Sequence, residues 1–233
     1  MINNYNYISL IFYIVIMFIV IDWIDWSGKW TQVDRVKNEL EKMWKKVKIL
    51  DYPRYWNKSA FMVEKYLNWE YWKDVTAKQA SIFYAIDRYD ESIDLKKDLE
   101  KYDYIISNRY VSANLIHQAW KIKNKIERED FLSWAEDLEY NIFNIVKPDK
   151  VIFLNVSPEM SQKLVLMKND REYLKWWKKM DLHEEDKNHL INAHASAMDI
   201  VNRYNNWIKI DCEKNLEMRT MEDITNDILK EIL

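Results

Sequence analysis

The chain has 233 residues, a length that fits one α/β domain with a sizeable hydrophobic core. Hydrophobic residues make up 48% and charged residues 31%, which is typical of a globular protein. The net charge of −3 gives no electrostatic argument for a nucleic-acid partner. The single cysteine, Cys212, excludes a disulfide within the chain and suits a reducing cytosol, so we expect a cytoplasmic protein.

The N-terminal segment is apolar from Ile8 to Ile21, except for Ser9. This run is shorter than the roughly 20 residues of a membrane-spanning helix, and no Lys or Arg precedes it as in a secretory signal. We expect translation to start at Met17, with residues 1–16 an upstream in-frame extension and no stable membrane partner. A membrane-tethering segment is the alternative.

Strands and helices alternate from residue 18 to the end of the chain. Hydrophobic spacing predicts strands at 18–22, 45–50, 102–107, 151–156 and 207–211, and helices at 32–43, 59–68, 76–97, 111–125, 127–144, 190–204 and 220–233. A further helix begins at Ser157-Pro158. This alternation predicts a mostly parallel five-stranded sheet with helices on both faces. Ligands bind at the carboxyl ends of such strands, where Asp22, Asp51, Asn108, Arg109 and Asn155 fall.

The functional interpretation depends on the stretch from Ile19 to Gln32. A strand, a loop, Gly-Lys and a helix is the layout of a phosphate-binding P-loop, G-x-x-x-x-G-K-[ST]. Gly28 and Lys29 match this template. Tryptophan stands at three other positions: Trp23 at the first glycine, Trp26 within the loop and Trp30 at the Ser/Thr position. A P-loop binds phosphate through backbone N–H groups, which requires glycines and no side chain in the way.

Tryptophan is abundant and glycine nearly absent, with 12 Trp and 1 Gly. Many tryptophans stand where turn chemistry favours glycine. Trp44 takes the C′ position after a predicted helix, which favours the left-handed conformation, and Trp56 lies in a predicted loop. We hypothesise that all tryptophans except Trp134 and Trp207 replace functional glycines, as would follow if UGA codons read as glycine by the source were translated as tryptophan. Deliberate substitution and a degenerate, Trp-rich protein are the alternatives.

Five segments together resemble the thymidylate kinase family of P-loop nucleoside monophosphate kinases. They are residues 22–32 (DWIDWSGKWTQ), 52–55 (YPRY), 83–89 (FYAIDRY), 107–118 (SNRYVSANLIHQ) and 151–159 (VIFLNVSPE). The P-loop alone would indicate only an NTPase, whereas this combination is fairly specific. The resemblance runs from Met17 to the C terminus. It implies a three-layer P-loop NTPase α/β fold with a lid, and transfer of the γ-phosphate of ATP to dTMP.

The resemblance assigns the ATP side to the P-loop and the lid. Lys29 would lie between the β- and γ-phosphates, Asp25 near the acceptor phosphate, and the Thr31 hydroxyl on Mg²⁺, the implied cofactor. Arg109 is the third implied catalytic residue. The residues implied to bind ATP are Trp23, Ile24, Asp25, Trp26, Ser27, Gly28, Lys29, Trp30, Thr31 and Arg171. Arg171 belongs to the lid, at about 168–188, a basic segment that would close over ATP; a solvated charged loop is the alternative.

The resemblance assigns dTMP binding to Arg54, Tyr84, Arg88, Arg109, Asn114 and His117. Arg88 and Arg109 would bind the monophosphate side and the transferring group, and Arg54 the dTMP phosphate, since guanidinium forks suit phosphate. Tyr84, one helical turn before Arg88, would stack on thymine. Asn114 and His117 would read the base edge and the sugar.

Residues 17–233 are thus expected to form a single kinase domain whose partners are ATP and dTMP. A different nucleoside monophosphate as acceptor and a non-catalytic relative that only binds nucleotide are the alternatives. Relatives usually dimerise through helices, so a homodimer is a further expectation.

Overall fold

Five parallel strands form the central sheet of the computed structural model, which describes residues 16–23, 29–68, 70–71, 74–169 and 187–233. The strands are β1 (Met17–Trp23), β2 (Val47–Asp51), β3 (Tyr104–Asn108), β4 (Lys150–Asn155) and β5 (Trp207–Asp211). They lie in the order β2-β3-β1-β4-β5, and every neighbouring pair is parallel. The prediction of a mostly parallel five-stranded sheet is confirmed.

Helices connect these strands. They are α1 (Lys29–Lys42), α2 (Phe61–Leu67), α3 (Ala77–Asp98), α4 (Val111–His117), α5 (Lys125–Glu136), α6 (Pro158–Asn169), and two further helices, Lys187–Val201 and Met221–Ile232. Thr76 and Gln79 form a capping box that fixes the start of α3. The Ser157 hydroxyl accepts a hydrogen bond from the Met160 backbone N–H, so it caps α6 as predicted. A short antiparallel ribbon after β5, Glu213–Lys214 with Glu217–Met218, was not predicted.

The sheet is covered on both faces because the side chains of β1 alternate between two hydrophobic cores. Phe18 and Val20 pack in the first core with residues of α4, α5 and the helix Lys187–Val201. Ile19 and Ile21 pack in the second core with residues of α1 and the helix Met221–Ile232. Burial on both faces is typical of parallel strands. Because all five strands run in the same direction, their carboxyl ends lie at one edge of the sheet.

The helices predicted over residues 111–125 and 127–144 are too long. The first ends at His117 and is followed by a 3₁₀ turn, Ala119–Lys121. The Asn124 side chain then accepts from two backbone N–H groups and starts α5, and such a cap interrupts any continuous helix. After Glu136 the chain continues as a π-helical turn, Asp137–Ile142.

Two tryptophans adopt a backbone conformation that favours glycine. Trp44 has φ 62° and Trp56 has φ 71°, and their side chains are 95% and 94% exposed. Trp44 ends α1 in a Schellman motif, in which its N–H donates to the Glu41 carbonyl and the Lys45 N–H donates to the Leu40 carbonyl. The predicted left-handed conformation at Trp44 is confirmed. Among the tryptophans whose side chains the structure describes, Trp23 and Trp120 were also predicted to replace glycine. Neither of them has a positive φ.

The predicted extension at residues 1–16 and the predicted lid at about 168–188 fall almost wholly outside the described residues. Within the part of the chain that the structure describes, no helix has the length and apolar character to cross a membrane.

Candidate active site

A cavity opens at the carboxyl edge of the sheet, next to the ends of β2 and β3. Its walls come from the segments that follow these two strands and from α2, α3 and α4. The lining residues include five of those predicted to bind dTMP, namely Tyr84, Arg88, Arg109, Asn114 and His117. The sequence places these residues on two helices and one strand end, and the fold brings them to one cavity.

The sixth predicted residue, Arg54, points elsewhere. Its Nε donates to Asp87 at 3.0 Å, and its Nη atoms pair with Asp90 and Glu91. Its backbone N–H also donates to Asp87 at 2.8 Å. Arg54 therefore joins the segment after β2 to α3, and it is not among the residues that line the cavity.

Arg88 forms a buried two-pronged ion pair with Glu139. Its Nε and Nη2 donate to the two carboxylate oxygens at 2.5 and 2.7 Å, and both side chains are almost fully buried. Burial alone would lower the pKa of Arg88, but the adjacent Glu139 carboxylate raises it, so the guanidinium stays charged. The pair is locally neutral, and the guanidinium retains three further N–H groups.

Asn114 has a fixed amide orientation beside this pair. Its Nδ2 donates to the Ser81 carbonyl at 3.1 Å and to the Glu139 carboxylate at 3.0 Å. Because the amide nitrogen has only two N–H groups, both are used. The Oδ1 of Asn114 is therefore the atom available to the cavity, as an acceptor next to the N–H donors of Arg88.

Arg109 directly follows β3 in a left-handed conformation, with φ 61°. Its backbone N–H donates to the Ile21 carbonyl on β1 at 3.0 Å, and its carbonyl accepts from the Ser107 hydroxyl at 2.6 Å. These bonds hold a conformation that is unfavourable for a non-glycine residue, which is a frequent feature of functional sites. The guanidinium lies over the ring of Trp23 at the end of β1. Arg109 thus connects the cavity to the start of the P-loop segment.

Comparisons with known proteins identify the family of this chain. A family model described as thymidylate kinase matches residues 21–224, which is most of the chain. The chain belongs to the thymidylate kinase family. This family phosphorylates nucleoside monophosphates, so the predicted family and enzyme class are supported at that level.

Individual thymidylate kinases are similar at low identity. The thymidylate kinase of Plasmodium falciparum is 26% identical over 217 residues, covering 92% of this chain and 89% of the relative. The probable thymidylate kinase of Methanosphaera stadtmanae is also 26% identical, covering 92% of this chain and 98% of the relative. The solved thymidylate kinase structure from Candida albicans superposes with a TM-score of 0.68 at 18% identity, covering 93% of this chain and 91% of that one, which supports the fold.

Polar residues at the strand ends are candidates for binding the Mg²⁺ that is expected of a thymidylate kinase. The described residues contain no group of three or more His, Cys, Asp or Glu that could hold a metal. Kinase Mg²⁺ needs no such group, because one or two protein oxygens, phosphate and water suffice. Asn108 Nδ2 donates to Asp51, while its buried Oδ1 has no hydrogen-bond donor among the described residues. This oxygen fits a ligand for Mg²⁺ or for one of its waters.

Most predictions for the ATP side fall outside the described residues. This applies to Ile24, Asp25, Trp26, Ser27, Gly28 and Arg171, and to the side chains of Lys29, Trp30 and Thr31. The backbone of Lys29 to Thr31 forms the first turn of α1, so a helix does start at the Gly-Lys position.

Sequence reasoning missed several polar residues of the site. Lys121 donates to the Tyr66 hydroxyl at 2.6 Å and to Gln118 at 2.8 Å, and all three line the cavity. Gln118 follows Asn114 by four residues, a spacing that could have placed it on the same face. No sequence signal connects Glu139 with Arg88, because the fold alone brings the π-helical turn to α3.

Proposed function

We propose that the protein transfers the γ-phosphate of ATP to dTMP, giving dTDP and ADP. The observation that supports this most directly is the cavity in which Tyr84, Arg88, Arg109 and Asn114 meet. This cavity lies at the carboxyl edge of the sheet, where ligands bind in parallel α/β proteins, and next to the P-loop segment.

The polar pattern of the cavity fits a thymine base. Arg88 provides N–H donors and Asn114 provides the acceptor Oδ1. Thymine and uracil present a carbonyl acceptor beside an N3–H donor, whereas cytosine presents an amino donor beside an N3 acceptor. The cavity therefore favours dTMP or dUMP over dCMP. Tyr84, which lies edge-on to Tyr66 at 6.3 Å, offers a ring face for stacking.

The phosphate of the acceptor is assigned to Arg109. Arg109 lies at the end of β3, between the cavity and the P-loop segment. Lys29, Asp25 and Thr31 are proposed for the transferring phosphate and for Mg²⁺, as the family resemblance implies. Phosphoryl transfer of this kind depends mainly on positioning and charge neutralisation, and bound Mg²⁺ supplies part of that charge.

One observation favours a second candidate, a non-catalytic protein that binds nucleoside monophosphate only. Trp23 occupies the first glycine position of the P-loop template and is fully buried. An indole at this position leaves less room for a triphosphate than glycine does.

We further propose a cytoplasmic homodimer. Helix α3 exposes an apolar stripe, Ile82, Ile86, Tyr89 and Ile93, with 36%, 41%, 46% and 56% exposure. The spacing of four, three and four residues places them on one face of the helix. A second copy of the chain would cover this face.

The decisive experiment is a phosphotransfer assay with ATP and Mg²⁺ and with dTMP, dUMP, dCMP or dGMP as the acceptor. We expect ADP formation to be fastest with dTMP, and Lys29→Met to abolish it. Binding of dTMP without ADP formation would favour the non-catalytic candidate. Faster turnover of another acceptor would reassign the substrate.

A further inference from the structure

Glu139 is a carboxylate beneath the acceptor cavity to which the proposed reaction gives no role. It has no exposed surface, and it lies on the π-helical turn Asp137–Ile142. Such turns are rare and often occur at functional sites. Its two oxygens accept from Arg88, and one of them also accepts from Asn114. A single buried group thus contacts both Arg88 and Asn114, the two residues proposed to pair with the base.

An ionised carboxylate can only accept hydrogen bonds. Its partners must therefore be donors on the side that faces it. For Arg88 this makes no difference, because a guanidinium has donors only. For Asn114 it decides the orientation, since the amide could otherwise turn either its oxygen or its nitrogen toward the cavity. The Ser81 carbonyl also accepts from the amide nitrogen of Asn114, so it favours the same orientation of the amide.

We propose that Glu139 is a positioning residue that sets the base specificity of this site. By holding the amide nitrogen of Asn114, it presents an acceptor to the N3 position and selects thymine or uracil against cytosine. This inference rests on the proposed use of the cavity for a nucleoside monophosphate.

Glu139→Gln weakens this restraint, because it replaces one of the two carboxylate oxygens by an amide nitrogen that can only donate. Oε1 accepts from both Arg88 and Asn114, so an amide nitrogen in its place faces Asn114 with a donor. Only the Ser81 carbonyl then still holds the amide nitrogen of Asn114 away from the cavity. With Asn114 less firmly oriented, the variant would bind cytosine better and thymine worse, so the preference for dTMP over dCMP would fall.

The test measures dissociation constants of dTMP and dCMP by calorimetry, which does not depend on ATP binding. We expect the unchanged protein to bind dTMP more tightly, and the ratio of the two constants to fall at least tenfold in E139Q. The matched control is E136Q, one helical turn earlier, where Glu136 accepts from the Tyr204 hydroxyl at 2.9 Å and does not line the cavity. We expect E136Q to keep the ratio. A merely structural role of Glu139 would weaken both ligands equally.

An unchanged ratio in folded E139Q would overturn the role of Glu139 while leaving the proposed function intact. Failure of the unchanged protein to bind dTMP would overturn both. If loss of the buried charge unfolds E139Q, the variant E139D is measured instead. Its shorter side chain keeps the charge but approaches Asn114 less closely, so we expect a ratio of the dTMP and dCMP dissociation constants between that of the unchanged protein and that expected for E139Q. In the unchanged protein, NMR hydrogen exchange of the Asn114 side-chain amide must be slow before nucleotide is added; fast exchange would also overturn the proposal.

Discussion

The guanidinium carbon of Arg109 lies 5.6 Å from the ring centroid of Trp23, over the face of a fully buried indole. This is the geometry of a cation–π interaction. Trp23 holds the first glycine position of the P-loop template, and Arg109 is the residue assigned to the acceptor phosphate. If Arg109 binds the acceptor phosphate as proposed, the indole of Trp23 and this phosphate would compete for the same guanidinium.

Replacing the P-loop tryptophans by glycine is expected to improve ATP binding. In the triple variant W23G/W26G/W30G, backbone N–H groups gain access to the phosphates and Arg109 is released from the indole. We expect Mg-ATP to bind at least tenfold more tightly, as measured by calorimetry. Equal affinity of the triple variant and the unchanged protein would contradict the glycine hypothesis at this loop.

The same triple variant has a stability cost that must be measured beside the affinity. Removing the buried indole of Trp23 is expected to lower the free energy of unfolding by about 3–5 kcal/mol. Calorimetry is therefore done at a temperature where circular dichroism shows the variant to be folded. The control W44G/W56G, remote from the loop in sequence, should leave ATP affinity unchanged.

Glycine at Trp44 and Trp56 is expected to stabilise the protein. Both residues have positive φ and almost fully exposed side chains, so glycine removes backbone strain and loses little packing. We expect each replacement to raise the free energy of unfolding by roughly 1 kcal/mol, read from urea denaturation. The opposite sign is expected for W134G, because Trp134 packs on Phe131 at 5.8 Å within α5. Destabilisation at both Trp44 and Trp56 would argue that these tryptophans are native.

These tryptophans also show what the sequence could predict. The left-handed turn at Trp44 was predictable because a helix ends there and its C′ position has a strong local preference. The five strands were predictable because their apolar runs are short and bounded. The cavity residues Arg88, Asn114 and Arg109 came from motifs that the chain shares with thymidylate kinases.

Other features depend on tertiary contacts that leave no local pattern. The pairing of Arg54 with Asp87 turns this arginine away from the cavity, although its motif position suggested phosphate. The π-helical turn that carries Glu139 reads as ordinary helix in the sequence. The predicted helix lengths near Asn124 were wrong for a simpler reason. The Asn124 side chain caps the start of α5, and such a cap competes with a continuous helix.

Acid is expected to destabilise the fold through His194. Its Nε2 lies 2.9 Å from Asn155 Oδ1, and Asn155 Nδ2 donates to Asp211 at 2.7 Å. Burial lowers the pKa of His194 from its ordinary value of 6.5. The unfolded chain therefore binds the proton more readily, and the free energy of unfolding falls as the pH drops below about 6.5 toward the folded-state pKa.

Urea denaturation at pH 7.5 and at pH 5.5 checks this expectation. The unchanged protein should lose more stability between these values than H194Q, whose neutral amide can still donate to Asn155. Since the other histidines are common to both proteins, their contribution cancels in the comparison. An equal loss in both proteins would show that His194 does not contribute to the acid dependence.

The apolar stripe of α3 gives the last prediction, which concerns assembly. A charge at Ile86, which is 41% exposed at the centre of the stripe, would be buried without a partner in a homodimer. We expect I86E to weaken self-association at least tenfold, as measured by analytical ultracentrifugation over a concentration series. The control N38E adds the same charge at an exposed position of α1 and should leave self-association unchanged. A monomeric unchanged protein, or equal association of I86E and N38E, would mean that a second copy does not cover this face.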